Sequence, residues 1–350
     1  MFLLFNYSSF IGVETDQLVF IFFLYIFIKW FDRYERDDAN PHKKAILSVL
    51  GVFAVTLKLS VAPIVILAFF VVYLFAKEKK YKEIIVYSII SVIIVLPYIV
   101  RGIIISGYLL YPLTSIDIFN FDWKIPVDIA NEDRWAISIW GKHTQEYINE
   151  NTSFEEVFHL PFSVWIRSWL SSVNSSIRIM FFVYDIAVLD WMVTSVRNVI
   201  KKNVDVSGTV PVVILLICTL YWFFSAPLVR YGGFLMPVFI LSSLTMLHKE
   251  DWTWILKAGI GICFVVFLTK VWDGTFNIEE GYLYPASYQS SAMETIPTGH
   301  YDKKGNEIYF YYPTVGGHCD PDTFPGTNAE RHAAHTVFRG EYLENGFRYE

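Results

Sequence analysis

Charge is scarce in this chain. Only 18% of its 350 residues are Asp, Glu, Lys or Arg, while 54% are hydrophobic and 18% aromatic. A soluble domain carries about a quarter charged residues. The apolar residues are bunched into runs rather than interleaved, which excludes an ordinary soluble globule and describes a polytopic membrane protein. Cysteine is scarce too. Cys218, Cys263 and Cys319 are too few for a disulfide framework, and the first two lie inside apolar runs as small core residues. The formal net charge of -6 gives no reason to expect a nucleic-acid partner. The start, MFLLFNYSSFIG, lacks the basic region and small-residue cleavage site of a signal peptide. It reads equally as the end of a helix whose earlier part is absent. No internal repeat or low-complexity tract is evident.

What is present is a succession of apolar runs. A helix needs about 20 apolar residues to cross a hydrocarbon core of about 30 Å. Eight runs are candidates: 17–31, 44–58, 61–77, 83–101, 177–199, 209–224, 228–247 and 253–271. The second and third are separated only by LKLS, which predicts a tight hairpin or a broken helix. Lysine and arginine gather in three loops: Lys29, Arg33, Arg36, Lys43 and Lys44; then Lys77, Lys79, Lys80 and Lys82; then Arg197, Lys201 and Lys202. Short basic loops stay cytoplasmic, and the parity of the spans places all three on one side. The segment before Asp16, the turn at Lys58, the loop 102–163, the turn SAPLVR at 225–230 and the tail from about 272 are then extracytoplasmic.

The fifth run, IRIMFFVYDIAVLDWMV, is the least typical span because it carries Asp185 and Asp190. Five residues apart, they lie about 140° from each other around a helix, so they do not share one cavity wall. A structural role, with Arg178 and a neighbouring helix as partners, is the reading preferred over a proton relay. Just before it, Phe162, Trp165, Ile166, Trp169 and Leu170 recur at helical spacing opposite Arg167 and Ser168. That pattern predicts an amphipathic helix over about 162–172, lying in the headgroup plane. The expected organisation is an all-α transmembrane domain over 1–271, with about eight spans, and a small, irregular or β-rich extracytoplasmic cap over 272–350. In the cap, GNEIYFYYPT holds a short strand-like run after Lys303-Lys304-Gly305-Asn306, which reads as a turn.

Three basic residues stand where apolar runs break or end: Lys58, Arg101 and Arg230. A charge at bilayer depth is costly and marks a functional site by default. Guanidinium groups bind phosphate bidentately, and lysine acts as a mobile point charge. The trio is expected to hold the phosphate of a lipid-linked substrate; the plainer reading is snorkelling to ordinary lipid headgroups. The outer loop offers Asp117, Asp122, Asp128, Glu132 and Asp133. Sugar transfer to a hydroxyl needs a general base, usually a carboxylate, and Asp117 and Asp122 are the first candidates; solvated loop carboxylates are the alternative. Phe119, Phe121 and Trp123 suit a sugar platform or an interfacial anchor. In the tail, His318-Cys319-Asp320, His332 and His335 do not follow a standard zinc spacing. No cofactor is evident, and a divalent metal has no support in the sequence.

The stretch from Arg101 to Pro126, RGIIISGYLLYPLTSIDIFNFDWKIP, resembles a diagnostic segment of a family of bacterial multispanning membrane proteins associated with surface-polysaccharide loci. IGVETDQ, LKLSVAP, SAPLVRYGGF and the terminal FRGEYLENGFR fit the same pattern. That family in turn resembles, by architecture, the GT-C glycosyltransferases, which take sugar from a polyprenyl-phosphate donor at the outer membrane face. Family members carry further spans and an acidic first outer loop ahead of the region matched here. The resemblance therefore implies an N-terminally shortened form, or a partner chain supplying the missing half, and it does not carry a catalytic label onto Asp16. It implies a multi-pass protein of the bacterial cytoplasmic membrane, interacting with membrane lipid and a polyprenyl-phosphate-linked glycan. A glycolipid transporter or flippase, and a non-catalytic scaffold binding lipid or a partner chain, are the rival readings.

Overall fold

The computed structural model describes residues 15–32, 41–149, 151–203, 205–248, 292–314, 323–327 and 329–350. The expected span 253–271, Cys263 and the triplet His318-Cys319-Asp320 lie outside the described residues. The chain divides into two compact units. The first comprises residues 1–98 and 135–269, and the second residues 99–134 and 270–350.

The first unit is helical. Helix α1 (Thr15–Phe31) is followed by α2 (Pro41–Leu57), which stops at Lys58 because that residue is extended, at φ -155° and ψ 118°. A 3-10 segment, Leu59–Val65, contains Pro63 and leads into α3 (Ile66–Lys77). α2 packs against both of these segments, so LKLS forms a hairpin. α4 (Tyr81–Ser106) runs on into the second unit, and α5 (Val127–Lys142) returns from it. Then come the short α6 (Phe154–Phe158), opened by a Ser153–Glu156 capping box, α7 (Phe162–Ser172) and α8 (Ser175–Ile200), capped by Asn174. α9 (Val206–Ser225), capped by Asp205, the one-turn α10 (Val229–Gly232) and α11 (Leu235–His248) complete it.

Among the described residues, five helical stretches are long and apolar enough to cross a membrane: Leu59–Lys77, Tyr81–Ser106, Ser175–Ile200, Val206–Ser225 and Val229–Met246. They mark the chain as a membrane protein. The apolar part of α1, Leu18–Phe31, is shorter, and α2 has 17 residues. Contacts within the unit fix which helix ends lie together. At one end, Trp30 Nε1 donates to the Ser207 carbonyl at 3.1 Å, Lys44 Nζ donates to Ser207 Oγ at 2.6 Å, and His42 packs edge-on against Phe75 and lies 3.3 Å from the Tyr87 hydroxyl. The described helix ends that flank the three basic stretches therefore lie at a single end, as the charge pattern predicts. The core between the ends is aromatic, with Phe23, Trp169, Trp222, Phe234 and Phe239 fully buried and Phe23 edge-on to Phe234 at 5.3 Å.

The expected amphipathic helix forms as α7, but its apolar face is used differently. Trp165 and Trp169 are buried, each with its ring centroid 5.4 Å from that of Phe223 of α9. Phe162 stays half exposed. This face is directed to the helix bundle because two indoles bury more area against aromatic neighbours than a headgroup layer would cover. Asp185 and Asp190 project from the exposed side of α8 and make no ion pair among the described residues. Arg178, the expected partner, donates instead to the Val173 carbonyl.

The second unit joins the loop after α4 to the tail. In the loop, Gly107 takes φ +78°, where an added Cβ would come within 2.7 Å of Lys124. The Tyr108 hydroxyl donates to the Ile125 carbonyl at 2.9 Å, closing the loop on itself. In the tail, β1 (Met293–Tyr301) and β2 (Glu307–Pro313) form an antiparallel hairpin with Ile296 opposite Phe310. Alternation along β2 turns Ile308, Phe310 and Tyr312 inward, the period-2 pattern of a half-buried strand. After the short α12 (Glu330–Ala334), β3 (Thr336–Phe338) pairs with β4 (Phe347–Tyr349). The cap is thus a small β structure, as the tail's composition suggests.

Candidate functional site

The end of the first unit opposite the basic loops carries two of the three predicted cations. Lys58, in its extended break, forms an ion pair with Asp16 in the first turn of α1. Their side chains are only 12% and 17% exposed. The Lys58 ammonium also lies 4.0 Å from the centre of the Tyr231 ring. Arg230 lies on the same tyrosine, with its guanidinium carbon 5.0 Å from the ring centre and Nη2 3.3 Å from the hydroxyl. Ser60 Oγ donates to the Tyr231 carbonyl at 2.8 Å, tying the break after α2 to the turn before α11. Lys58, Arg230 and Asp16 therefore meet around one aromatic ring. Arg101 belongs to the second unit. It is exposed on α4 and makes no ion pair among the described residues.

The turn that presents Arg230 and Tyr231 is held by its own carbonyls. Trp169 Nε1 donates to the Pro227 carbonyl at 2.7 Å, and Trp222 Nε1 donates to the Leu228 carbonyl at 2.9 Å. Two glycines allow the close approach. A Cβ on Gly141 would sit 2.7 Å from the Ala226 backbone, and one on Gly232 would sit 2.4 Å from the Trp222 indole.

Both predicted loop carboxylates are engaged inside the second unit. Asp117 accepts from Lys124 Nζ, at 2.5 Å to Oδ2. Asp122 accepts a bidentate pair from Arg339, with Nε to Oδ2 and Nη2 to Oδ1 both at 2.8 Å. The Arg339 guanidinium lies 5.2 Å from the centre of the Trp123 ring, and Trp123 stacks on Phe121, which stacks on Phe119 (4.3 and 5.3 Å between centroids). Next to this ladder is a cleft of about 500 Å³, within the range of small-molecule sites. Ile104, Trp123, Phe310, Phe347, Arg339 and Tyr349 are among its walls.

The strongest electrostatic feature of that unit is Asp133, near the middle of α5. Arg331 Nη2 and the Tyr111 hydroxyl both bond its carboxylate. His332, itself buried, bridges from Asp133 Oδ2 (Nε2 at 3.1 Å) to the Tyr349 hydroxyl (Nδ1 at 3.2 Å). Burial works to raise the Asp133 carboxyl, but the bonds from His332, Tyr111 and Arg331 outweigh it and hold the group at about 2. Burial and the bond to Asp133 push the Tyr111 phenol well above its ordinary value. The sequence shows Asp133 as one loop carboxylate among five and His332 as a weak metal ligand. Nothing in their spacing points to each other, because they stand about 200 positions apart. Among the described residues, no group of three or more His, Cys, Asp or Glu side chains is arranged to hold a metal ion.

A helical protein with membrane-crossing segments, a basic aromatic end and a small β cap is the class these features define. Within that class, the chain belongs to the family described as "Domain of unknown function (DUF8201)", whose model matches residues 1–239. No curated protein and no solved structure matches the chain.

Proposed function

We propose that this protein acts in the assembly of a bacterial surface glycan, as a GT-C-like glycosyltransferase, or the C-terminal part of one, that handles a sugar carried on polyprenyl phosphate. In this reading it lies in the cytoplasmic membrane with about eight spans, its three basic loops inside and its β cap outside. The observation that carries the reading is the meeting of Lys58 and Arg230 on Tyr231, at the end of the bundle opposite the basic loops. Two cations and a phenol at a membrane-crossing helix end suit a lipid phosphate, which would compete with Asp16 for Lys58. They would stabilise the charge that develops on the phosphate as it leaves the sugar. Arg101 meets the same class of headgroup on α4. Asp117 and Asp122, each held by a neighbouring cation, would position the acceptor hydroxyl in the loop, with the aromatic ladder Phe119–Phe121–Trp123 as its platform.

The test is made in cells that depend on the protein for their glycan. Arg230→Ala, and Lys58→Ala combined with Asp16→Asn so that no carboxylate is left unpaired, are expected to abolish product while the chain still reaches the membrane at normal level. Undiminished glycan with either variant removes the phosphate role.

A non-catalytic scaffold is the second reading, favoured by Asp185 and Asp190 on the exposed side of a membrane-crossing helix. Carboxylates there are expensive in lipid and call for a partner chain. Copurification of a second membrane chain that is lost with Asp185→Asn and Asp190→Asn, with no turnover of polyprenyl-linked sugar, would establish it.

A further inference from the structure

One face of α5 carries buried donors that are poorly matched with acceptors among the described residues. Trp135, Ser138 and Lys142 stand at i, i+3 and i+7 and share one side of the helix. Ser138 is 3% exposed and Lys142 7%. The Ser138 hydroxyl and the Trp135 indole N–H are buried and have no hydrogen-bond partner among the described residues. The Lys142 ammonium makes one long bond, 3.4 Å to the Phe158 carbonyl, and no ion pair among the described residues. Phe158 and Trp165 wall it in, with ring centres 4.9 and 5.5 Å from Nζ. Phe158 also lies against Trp135, at 6.3 Å between centroids, so Trp135 and Lys142 meet at the same aromatic wall.

An indole N–H, a hydroxyl and an ammonium on one buried side of α5 form a donor set without its counterpart among the described residues. Buried polar groups are ordinarily satisfied, and buried charges are ordinarily paired. Aromatic faces attract a cation but accept little from an N–H or O–H. Water would satisfy the hydroxyl, but it leaves the charge of Lys142 uncompensated. A ligand with several acceptor oxygens and a negative charge satisfies all three at once. Burial lowers the Lys142 pKa, as expected for an ammonium taken out of water. The neighbouring helix α7 starts at Phe162, which is half exposed beside Trp165, so an acyl chain has apolar surface next to the donors.

We infer that Trp135, Ser138 and Lys142 form a binding site for a phosphate oxyanion, separate from the Lys58–Arg230 pair. The site stands whether or not the chain transfers sugar. A lipid headgroup and free phosphate share this chemistry, and the experiment separates them.

The full chain, purified in a neutral maltoside detergent, is treated with acetic anhydride, and acylation of each lysine is measured by peptide mass spectrometry. Dihexanoyl phosphatidic acid is titrated in one series and sodium phosphate in another, at matched ionic strength. Occupancy is expected to suppress acylation of Lys142 while exposed Lys304 is unaffected. Ser138→Ala removes one donor with little change of volume, and is expected to raise the half-protecting concentration about fivefold. Protection by phosphatidic acid alone identifies a lipid headgroup, and equal protection by sodium phosphate identifies the free ion. If neither protects Lys142, or if Ser138→Ala leaves the protecting concentration unchanged, the oxyanion site is overturned.

Discussion

Replacing Asp133 with Asn keeps the size of the side chain and removes the charge that Arg331 and His332 face. Breaking a fully buried ion pair costs about 3–5 kcal/mol. Here Asp133 is 13% exposed and Arg331 30%, so solvent screens part of the loss, and Asn still accepts from Tyr111. About 2 kcal/mol is the resulting expectation. The loss falls on the elements the network ties down, namely α12, which carries Arg331 and His332, and β4, which carries Tyr349. Amide hydrogen exchange on these segments reads it directly. A local loss of about 2 kcal/mol corresponds to exchange roughly 30-fold faster. The hairpin β1–β2 has its own ladder and should change much less. Unaltered exchange in α12 and β4 would show that the Asp133 network does not hold the tail, and an equal rise across β1–β2 would show that the damage is global.

Acid should reproduce the same loosening. The folded-state carboxyl of Asp133 sits at about 2, below its ordinary 3.8. The stability it contributes is therefore present above 3.8 and is lost as pH falls through about 2; exchange in α12, corrected for intrinsic rate, should rise over that window, and a flat profile would refute it. Gly232→Ala drives a Cβ into the Trp222 indole, where the available distance is 2.4 Å. It should cost about 1–3 kcal/mol, seen as a lower thermal midpoint in detergent. Lys58→Met leaves Asp16 without its ion-pair partner and should destabilise by about 2 kcal/mol. Adding Asp16→Asn should restore most of that loss, and strictly additive effects would show that the pair is not coupled.

Much of the helical unit is legible in the amino-acid sequence because membrane helices announce themselves by composition. The breaks are legible too: Lys58 and the following Pro63 mark a hairpin, and the basic loops sort the helix ends. The strand Glu307–Pro313 shows as a short aromatic run after a turn, although which of its side chains face inward does not. The function of an apolar stripe is less legible. Phe162, Trp165 and Trp169 have the same spacing whether they face headgroups or Phe223, and only the three-dimensional neighbourhood decides. The sites were the least visible. Lys58 and Arg230 are conspicuous as charges in apolar runs, but Asp16 as the partner of Lys58 is not, nor is the shared ring of Tyr231. Lys142 gives no signal at all, since a lysine at the end of an amphipathic helix normally reaches water; its burial depends on Phe158 and Trp165, which stand well downstream. Asp122 reads as a free loop carboxylate because Arg339, which occupies it, lies 217 positions away.

The interleaving of the two units bears on how the molecule is made. The second unit takes one part from residues 99–134 and the other from 270–350. During synthesis, Asp122 and Asp133 leave the ribosome long before Arg339 and Arg331 exist. The loop must therefore wait, with its acidic groups solvated, while the helices encoded in between are inserted. Residues 270–350 are needed to complete it, so the second unit closes only after the intervening segment has been made.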